Sequence, residues 1–413
     1  MAERWFPLHP DLDQLRRQAK ELLEGFRRHD PAATAEFAEN HPERITPAQA
    51  ALADAQLALA RSYGFPSWPR LVLSCRMTNA IWDEDVDTVR AIASQHPEVV
   101  RHHAHRNWGP PMSFAANLGR DRIVALLREF GAEDVQWAFD RACLQGRLET
   151  ARRLYAMGAR PQPGAVMGPC ETQSAAGLAF LLDLGAEPAD ASGDRLAPVG
   201  MLLQTYCRNM EGKHRCLELL AERGAPLPDT PPMAVHRGRV DLLEPHLRRD
   251  PDLLTRTFTH PEIFPGEVGC HADPSLALNG TPLGGGTLLH LCVDGDEMEI
   301  ARWLLDRGAD ANARAAVDAD GFGGHTALFG CVVSQPYRTG RDKEGALARL
   351  LLERGADPNA RASLRKRLRD AGDETMHEYH DVTPLAWGRR FHGREWVNRA
   401  ALALIEAAGG REA

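Results

Sequence analysis

A chain of 413 residues, 43% hydrophobic and 26% charged, has the composition of an ordinary folded protein. It contains no apolar run of about 18 residues that could span a bilayer, which excludes a helical membrane span. Its net charge of −8 argues against a general nucleic-acid binder, which needs surplus cations to displace phosphate counterions.

The length exceeds that of a usual single domain, yet no Ser/Gly-rich or low-complexity linker divides the chain, so an extended repeat array is expected. Eight scattered cysteines without a Cys-x-x-Cys pair fit reduced, mostly buried thiols and a cytoplasmic location. Lys20, Lys213, Lys343 and Lys366 are the only lysines beside many arginines, a bias associated with GC-rich bacterial genomes.

The N-terminus, Met1-Ala2-Glu3-Arg4-Trp5, runs directly into an amphipathic pattern, so no secretory signal is expected. Leu8, Leu12, Leu15, Ala19, Leu22, Leu23 and Phe26 recur at helical spacing. A second helix follows Thr46-Pro47 and carries Leu52, Ala55, Leu57 and Leu59 into the turn Gly64-Phe65-Pro66-Ser67-Trp68-Pro69. These helices predict an N-terminal cap over residues 1–75 that covers the end of the array.

Degenerate repeats are expected over 76–254. A unit at about 79–105 runs through Ala80, Val86, Val89 and Ile92, and Pro111-Met112-Ser113-Phe114-Ala115 leads to Gly119 and Gly131. Phe139, Ala142 and Gly146 lead to Gly158, and Gly131, Gly158 and Gly185 are spaced by 27 residues. Gly224-Ala225 and a unit at about 229–254 complete this stretch.

The pattern is clearest over 255–413. Thr287-Leu288-Leu289-His290 precedes the helix Ile300-Ala301-Arg302-Trp303-Leu304-Leu305 and the word Gly308-Ala309-Asp310-Ala311-Asn312, echoed by Gly355-Ala356-Asp357-Pro358-Asn359. Thr287 suits an N-cap, where its hydroxyl accepts an orphan amide, and Gly308 suits the left-handed residue that ends a helix. Thr326-Ala327-Leu328 and Thr383-Pro384-Leu385-Ala386 open two more units, with Pro384 at the first helical position.

On these words, residues from about 79 to 410 resemble the ankyrin-repeat family. The whole chain is also similar to a group of bacterial ankyrin-repeat proteins with the same helical leader and Gly-Phe-Pro-Ser-Trp-Pro turn. The resemblance implies an all-α solenoid of about nine helix-turn-helix units, with fingers and inner helices lining a concave surface that binds partners, usually proteins.

Three fingers are overlong: about 255–286, 313–325 and 360–382. Fingers of consecutive units project from one edge, so these insertions should be neighbours in space, and ordered loops this long are usually functional. The insertion at about 334–345 lies between helices of one unit and is expected at the opposite edge.

The fingers bring together His271, Asp273, Asp320, His325, His377, Glu378 and His380, residue types that supply acid, base or metal-ligand groups. Each also has a plainer role: His325 precedes the capping Thr326 and can brace its finger, and Asp318 and Asp320 form turns. His377 and His380 could share a helical face. Cys270-His271-x-Asp273 offers three ligand types, but convergence of further ligands is needed for a metal site. His290 is expected to tie adjacent units by backbone hydrogen bonds. The basic run Arg365-Lys366-Arg367-Leu368-Arg369 reads first as a solvated helix face, with an anion contact or pairing to acidic residues of neighbouring fingers as the alternatives.

No nucleophile elbow, phosphate-binding glycine loop or dinucleotide fingerprint is present. The leading expectation is a protein or peptide partner gripped by the concave face and fingers, with Trp303, Phe322, Arg361, Arg365, Arg367, Tyr379 and Trp387 as anchors. The alternative is an enzyme or a receptor for a small molecule or divalent metal at the finger rim; no cofactor is expected.

Overall fold

The computed structural model describes residues 4–102, 108–274, 278–368 and 375–412. Arg369 and the end of the unit at 79–105 fall outside them. The chain divides into two compact units, Met1–Pro161 and Gln162–Ala413.

In the first unit α1 (Leu12–Arg27), α2 (Pro31–Asn40) and α3 (Leu52–Ser62) pack on one another. Asp11 caps α1 by accepting the amides of Asp13 and Gln14, and Asp30 caps α2 ahead of Pro31. Their core holds Leu23, Phe26 and Phe37, with the two phenyl rings stacked 4.0 Å apart. The turn at Gly64 buries Phe65 against Phe6 and Leu71, and Ser67 caps the next helix. Three helix pairs follow: α4 (Trp68–Trp82) with α5 (Val86–Gln95), α6 (Pro111–Leu118) with α7 (Asp121–Glu129), and α8 (Val135–Leu144) with α9 (Leu148–Ala156). Successive first helices stack, α4 on α6 and α6 on α8.

The second unit continues the scheme with α10 (Met167–Thr172) and α11 (Ala175–Asp183), α12 (Ala197–Gln204) and α13 (Met210–Glu222), and α14 (Pro231–His236) and α15 (Val240–Arg249). A short helix, α16 (His260–Ile263), lies in the first long finger. Then come α17 (Leu288–Gly295) with α18 (Met298–Asp306), and α19 (Ala327–Val332), α20 (Gln335–Arg338) and α21 (Ala346–Glu353). The last pair is α22 (Pro384–Arg390) with α23 (Arg399–Ala407). Among the described residues the pairs number three in the first unit and six in the second, an all-α repeat architecture.

The recurring words act as stitches. Gly308, Gly355 and Gly409 adopt φ of +95°, +86° and +89°, each ending a second helix. Asn312 Nδ2 donates to Gly355 O at 2.9 Å while its Oδ1 accepts Asp357 N at 2.6 Å. Asn359 repeats this with Gly409 O at 3.1 Å and Arg411 N at 2.8 Å. His290 accepts Thr287 N–H at Nδ1 (3.1 Å), so Nε2 carries the proton donated to His325 O at 3.1 Å. Its expected role in tying units holds.

The third long finger is not an irregular loop. It forms an antiparallel hairpin of β1 (Ala362–Lys366) and β2 (His377–Val382), with Leu364 opposite Tyr379 and Lys366 opposite His377. In β1 Ala362, Leu364 and Lys366 face inward, and Arg365 faces the second finger.

Candidate functional site

The three long fingers meet. Phe258 N–H closes the first finger on Gly286 O (2.8 Å), and neighbouring fingers are hydrogen-bonded edge to edge, Ala316 N–H to Gly285 O (2.8 Å) and Gly323 N–H to Ser363 O (2.7 Å). Between them lies a cavity of about 430 Å³, within the range of small-ligand sites. The first finger contributes His260, Asp273, Asn279 and Leu283, the second Asp318, Phe322 and His325, and the third Leu364 to Arg367 with Met376.

One part of the first finger has left the rim. Residues 278–283 run across the inner helices of the last units, where Thr281 Oγ1 donates to Val333 O at 3.0 Å and accepts Trp387 Nε1–H at 3.1 Å. Leu278 O accepts from Gln335 Nε2 (2.9 Å) on α20, and Pro282 O accepts from His325 Nε2 (2.9 Å). The Thr281 bond satisfies the Val333 carbonyl at the C-terminal end of α19, and the other two satisfy carbonyls of the finger itself.

This strand of chain corrects one expected anchor. Trp387 is fully buried, packed edge-on against Tyr379 and Phe391 with centroids 4.8 and 4.9 Å away, so it belongs to the core and cannot reach a partner. Over the last units the inner face is occupied by the protein's own finger. Trp303 sits on α18 beneath the Arg307 guanidinium (4.0 Å), away from the cavity.

Phe322 lines the cavity, with the Arg365 guanidinium 4.8 Å from its ring centre and the His380 ring 5.2 Å away. Arg365 is fixed by Asp318 and Asp320 at 2.8 and 2.9 Å. Those two carboxylates hold its guanidinium pKa up, the Asp320 hydrogen bond most strongly. The basic run is therefore no solvated helix: it alternates on a strand, and Arg365 bridges two fingers. Arg361 pairs with Asp381 at 2.8 Å outside the cavity, and Arg367 lines it.

Of the seven acid–base candidates, Asp273 and His325 line the cavity. Burial drives the His325 pKa down to about 3 and that of His290 to about 4, so both rings stay neutral. With Nε2 donating to Pro282 O, His325 Nδ1 is a bare acceptor. Asp320 is engaged by Arg365, and His271 contributes its backbone, accepting from His260 Nε2 at 3.2 Å and Gln204 Nε2 at 3.1 Å. His377 and His380 do not share a helical face: they lie three apart on a strand, which puts them on opposite sides. His377 stacks on His392 at 3.9 Å, and His380 lies 3.4 Å from Glu378. Among the described residues no three His, Cys, Asp or Glu side chains are placed to hold a metal ion together.

Sequence reasoning placed Lys366 in the basic run but missed its burial. The ammonium is 7% exposed, and Nζ is 3.1 Å from Asn279 Oδ1. Burial lowers its pKa to about 8 against the pull of Asp294, and the Arg367 charge acts in the same direction as burial. Burial in turn pushes the Asp294 carboxyl up to about 6, opposed by Lys366 and Lys213. The only sign in the sequence was a rare lysine in an arginine-rich chain.

Residues 284–316 match the ankyrin-repeat family model. They begin at the finger tip, include α17 and α18, and end past the Asn312 stitch. This segment is an ankyrin repeat, and ankyrin repeats in general are protein–protein interaction modules. The chain is similar to the human ASB11 ankyrin repeat domain at 19% identity, over 60% of this chain and 99% of that one, with a TM-score of 0.29. A comparison with curated proteins finds no match. Among the described residues no helix is long and apolar enough to cross a membrane.

Proposed function

We propose that this is a cytoplasmic binding protein whose recognition element is the cavity between its three C-terminal fingers, which receives a projecting group of a protein or peptide partner. The observation that carries this reading is that insertions from three separate units line one cavity of about 430 Å³. Insertions from separate units that converge on one cavity are best explained by a shared ligand. The covered inner helices favour the rim over the concave face. The cavity's volume also favours a second reading, a receptor for a free small molecule.

A photo-cross-linking residue at Met376, 47% exposed at the cavity edge, tests the main reading in extracts of the native host. A specific adduct is expected there and not with the same probe at Trp303. Ala316→Trp, which fills the cavity, should abolish it. Equal labelling at both positions, or labelling indifferent to Ala316→Trp, would remove the fingers as the recognition element.

A further inference from the structure

Two neutral side chains that line the finger cavity have unused hydrogen-bonding capacity of opposite kinds. Asn279 is 6% exposed, and its Oδ1 accepts from Lys366 Nζ at 3.1 Å. An ammonium only donates, so the amide cannot be turned around, and its Nδ2 donor has no partner among the described residues. His260 is 8% exposed, and its Nε2 lies 3.2 Å from His271 O. A carbonyl only accepts, so Nε2 carries a proton, and burial holds the ring pKa below its ordinary value and keeps it neutral near pH 7. Its Nδ1 is therefore an acceptor, and it too has no partner among the described residues.

Both groups are held in place. Asn279 belongs to the buried stretch 278–283, anchored on one side by Leu278 O, which accepts from Gln335, and on the other by the Thr281 hydroxyl. The His260 ring packs against Phe264 with centroids 5.1 Å apart. A donor and an acceptor fixed in advance give up little conformational freedom on capturing a ligand, and buried polar groups gain from a partner that the wall does not supply. Charge does not select the ligand: the wall holds both signs in Lys366, Arg367 and Asp273, and Arg365 is taken up by Asp318 and Asp320.

One functional group answers both atoms. An amide offers an N–H to the imidazole nitrogen and a carbonyl oxygen to the Asn279 donor. A carboxylate has no proton for His260, an ammonium has no acceptor for Asn279, an ester lacks the donor, and a hydroxyl must serve both from one atom. Phe322, Leu283 and Leu364 supply apolar wall for the rest of the ligand.

We propose that the finger cavity recognises a neutral amide, its N–H donated to His260 Nδ1, its oxygen accepting from Asn279 Nδ2 and its apolar body packed against Phe322, Leu283 and Leu364. This rests on the reading of the finger cavity as the recognition site. The amide has two sources, a glutamine side chain of a partner or a free small molecule.

Titration calorimetry of the full chain with phenylpropionamide, its N,N-dimethyl derivative, the methyl ester and phenylpropanol tests the preference. The primary amide should bind at least about tenfold more tightly than the other three. Asn279→Asp keeps an oxygen for Lys366 but loses the donor, and should weaken the amide by about tenfold. His260→Phe should erase the advantage of the amide over its dimethyl derivative. The ligand series on the wild-type chain carries the test even where a variant fails to fold. A short acetylated peptide with a central glutamine, set against the same peptide with methionine there, separates the sources: glutamine-selective binding identifies a partner side chain, and binding of phenylpropionamide alone a small amide. Equal binding of the amide and its dimethyl derivative, or amide binding untouched by Asn279→Asp, overturns the amide while leaving the cavity a binding site. No saturable binding of any probe also overturns it, and the Met376 cross-link then reports separately on the fingers.

Discussion

Gly323 shows how closely the fingers approach. Its φ is +124°, and a Cβ there would lie 2.1 Å from Ala316 O. Gly323→Ala is expected to cost roughly 1–3 kcal/mol, seen as a lower melting temperature, because the second finger must open to admit the methyl group. A milder cost is expected at the stitch: Asn312→Ala removes two bonds to the next turn, in a partly exposed place, and should lose about 1 kcal/mol in urea denaturation. His325 sets a pH dependence. Its folded pKa of about 3 lies below the ordinary 6.5, so protons favour the unfolded chain. Its contribution is complete above about pH 6.5 and is lost as the pH falls. Between pH 6.5 and 5 the wild type should lose about 2 kcal/mol more than His325→Gln, measured by chemical denaturation at each pH.

At the scale of elements, the first finger is both wall and lid. Trp387→Ala should cost about 3–5 kcal/mol, because it empties a fully buried site and strands the Thr281 hydroxyl that joins the finger to α19 and α22. Protease cleavage within 278–283 should appear in this variant and not in the wild type. The helices and turns were legible because cap, apolar stripe and stop residue agree in one short stretch, as in Thr287, Leu291 and Gly308. The helix α2 was overlooked although Asp30-Pro31 marks its start, since its short apolar stripe is weak. The hairpin was obscured by one residue: Ala362, Leu364 and Leu368 keep a period of two, but Lys366 occupies the buried face and made the run look like a solvated surface. The burial of 278–283 had no local sign at all. Its bonds reach partners as far as 106 residues away, and Asn279-Gly280-Thr281 reads as a turn until those partners are known. For the same reason the meeting of the fingers followed from repeat register, but which side chains face the cavity did not.

Across the whole molecule the repeat principle governs where reactivity is allowed. All eight cysteines are reduced and buried in the helix stacks and finger bases. Burial pushes the thiols of Cys75, Cys143, Cys207, Cys216 and Cys270 up to about 12, which leaves almost no thiolate near neutral pH. A disulfide reagent should therefore modify none of them rapidly in the native protein and all eight after denaturation, and early modification of a subset would reveal local opening. Within each unit the helices lean on their immediate neighbours, so the stacks draw less from the second and third fingers than from the first. That separation governs how the protein can change over generations. The second and third fingers can be lengthened, shortened or reworded with little penalty to the helices beneath, so a new ligand preference is a few substitutions away. The first finger is different: with Thr281 lodged over Trp387 it is part of the last units, and a lineage that altered its buried stretch would have to rebuild them along with it.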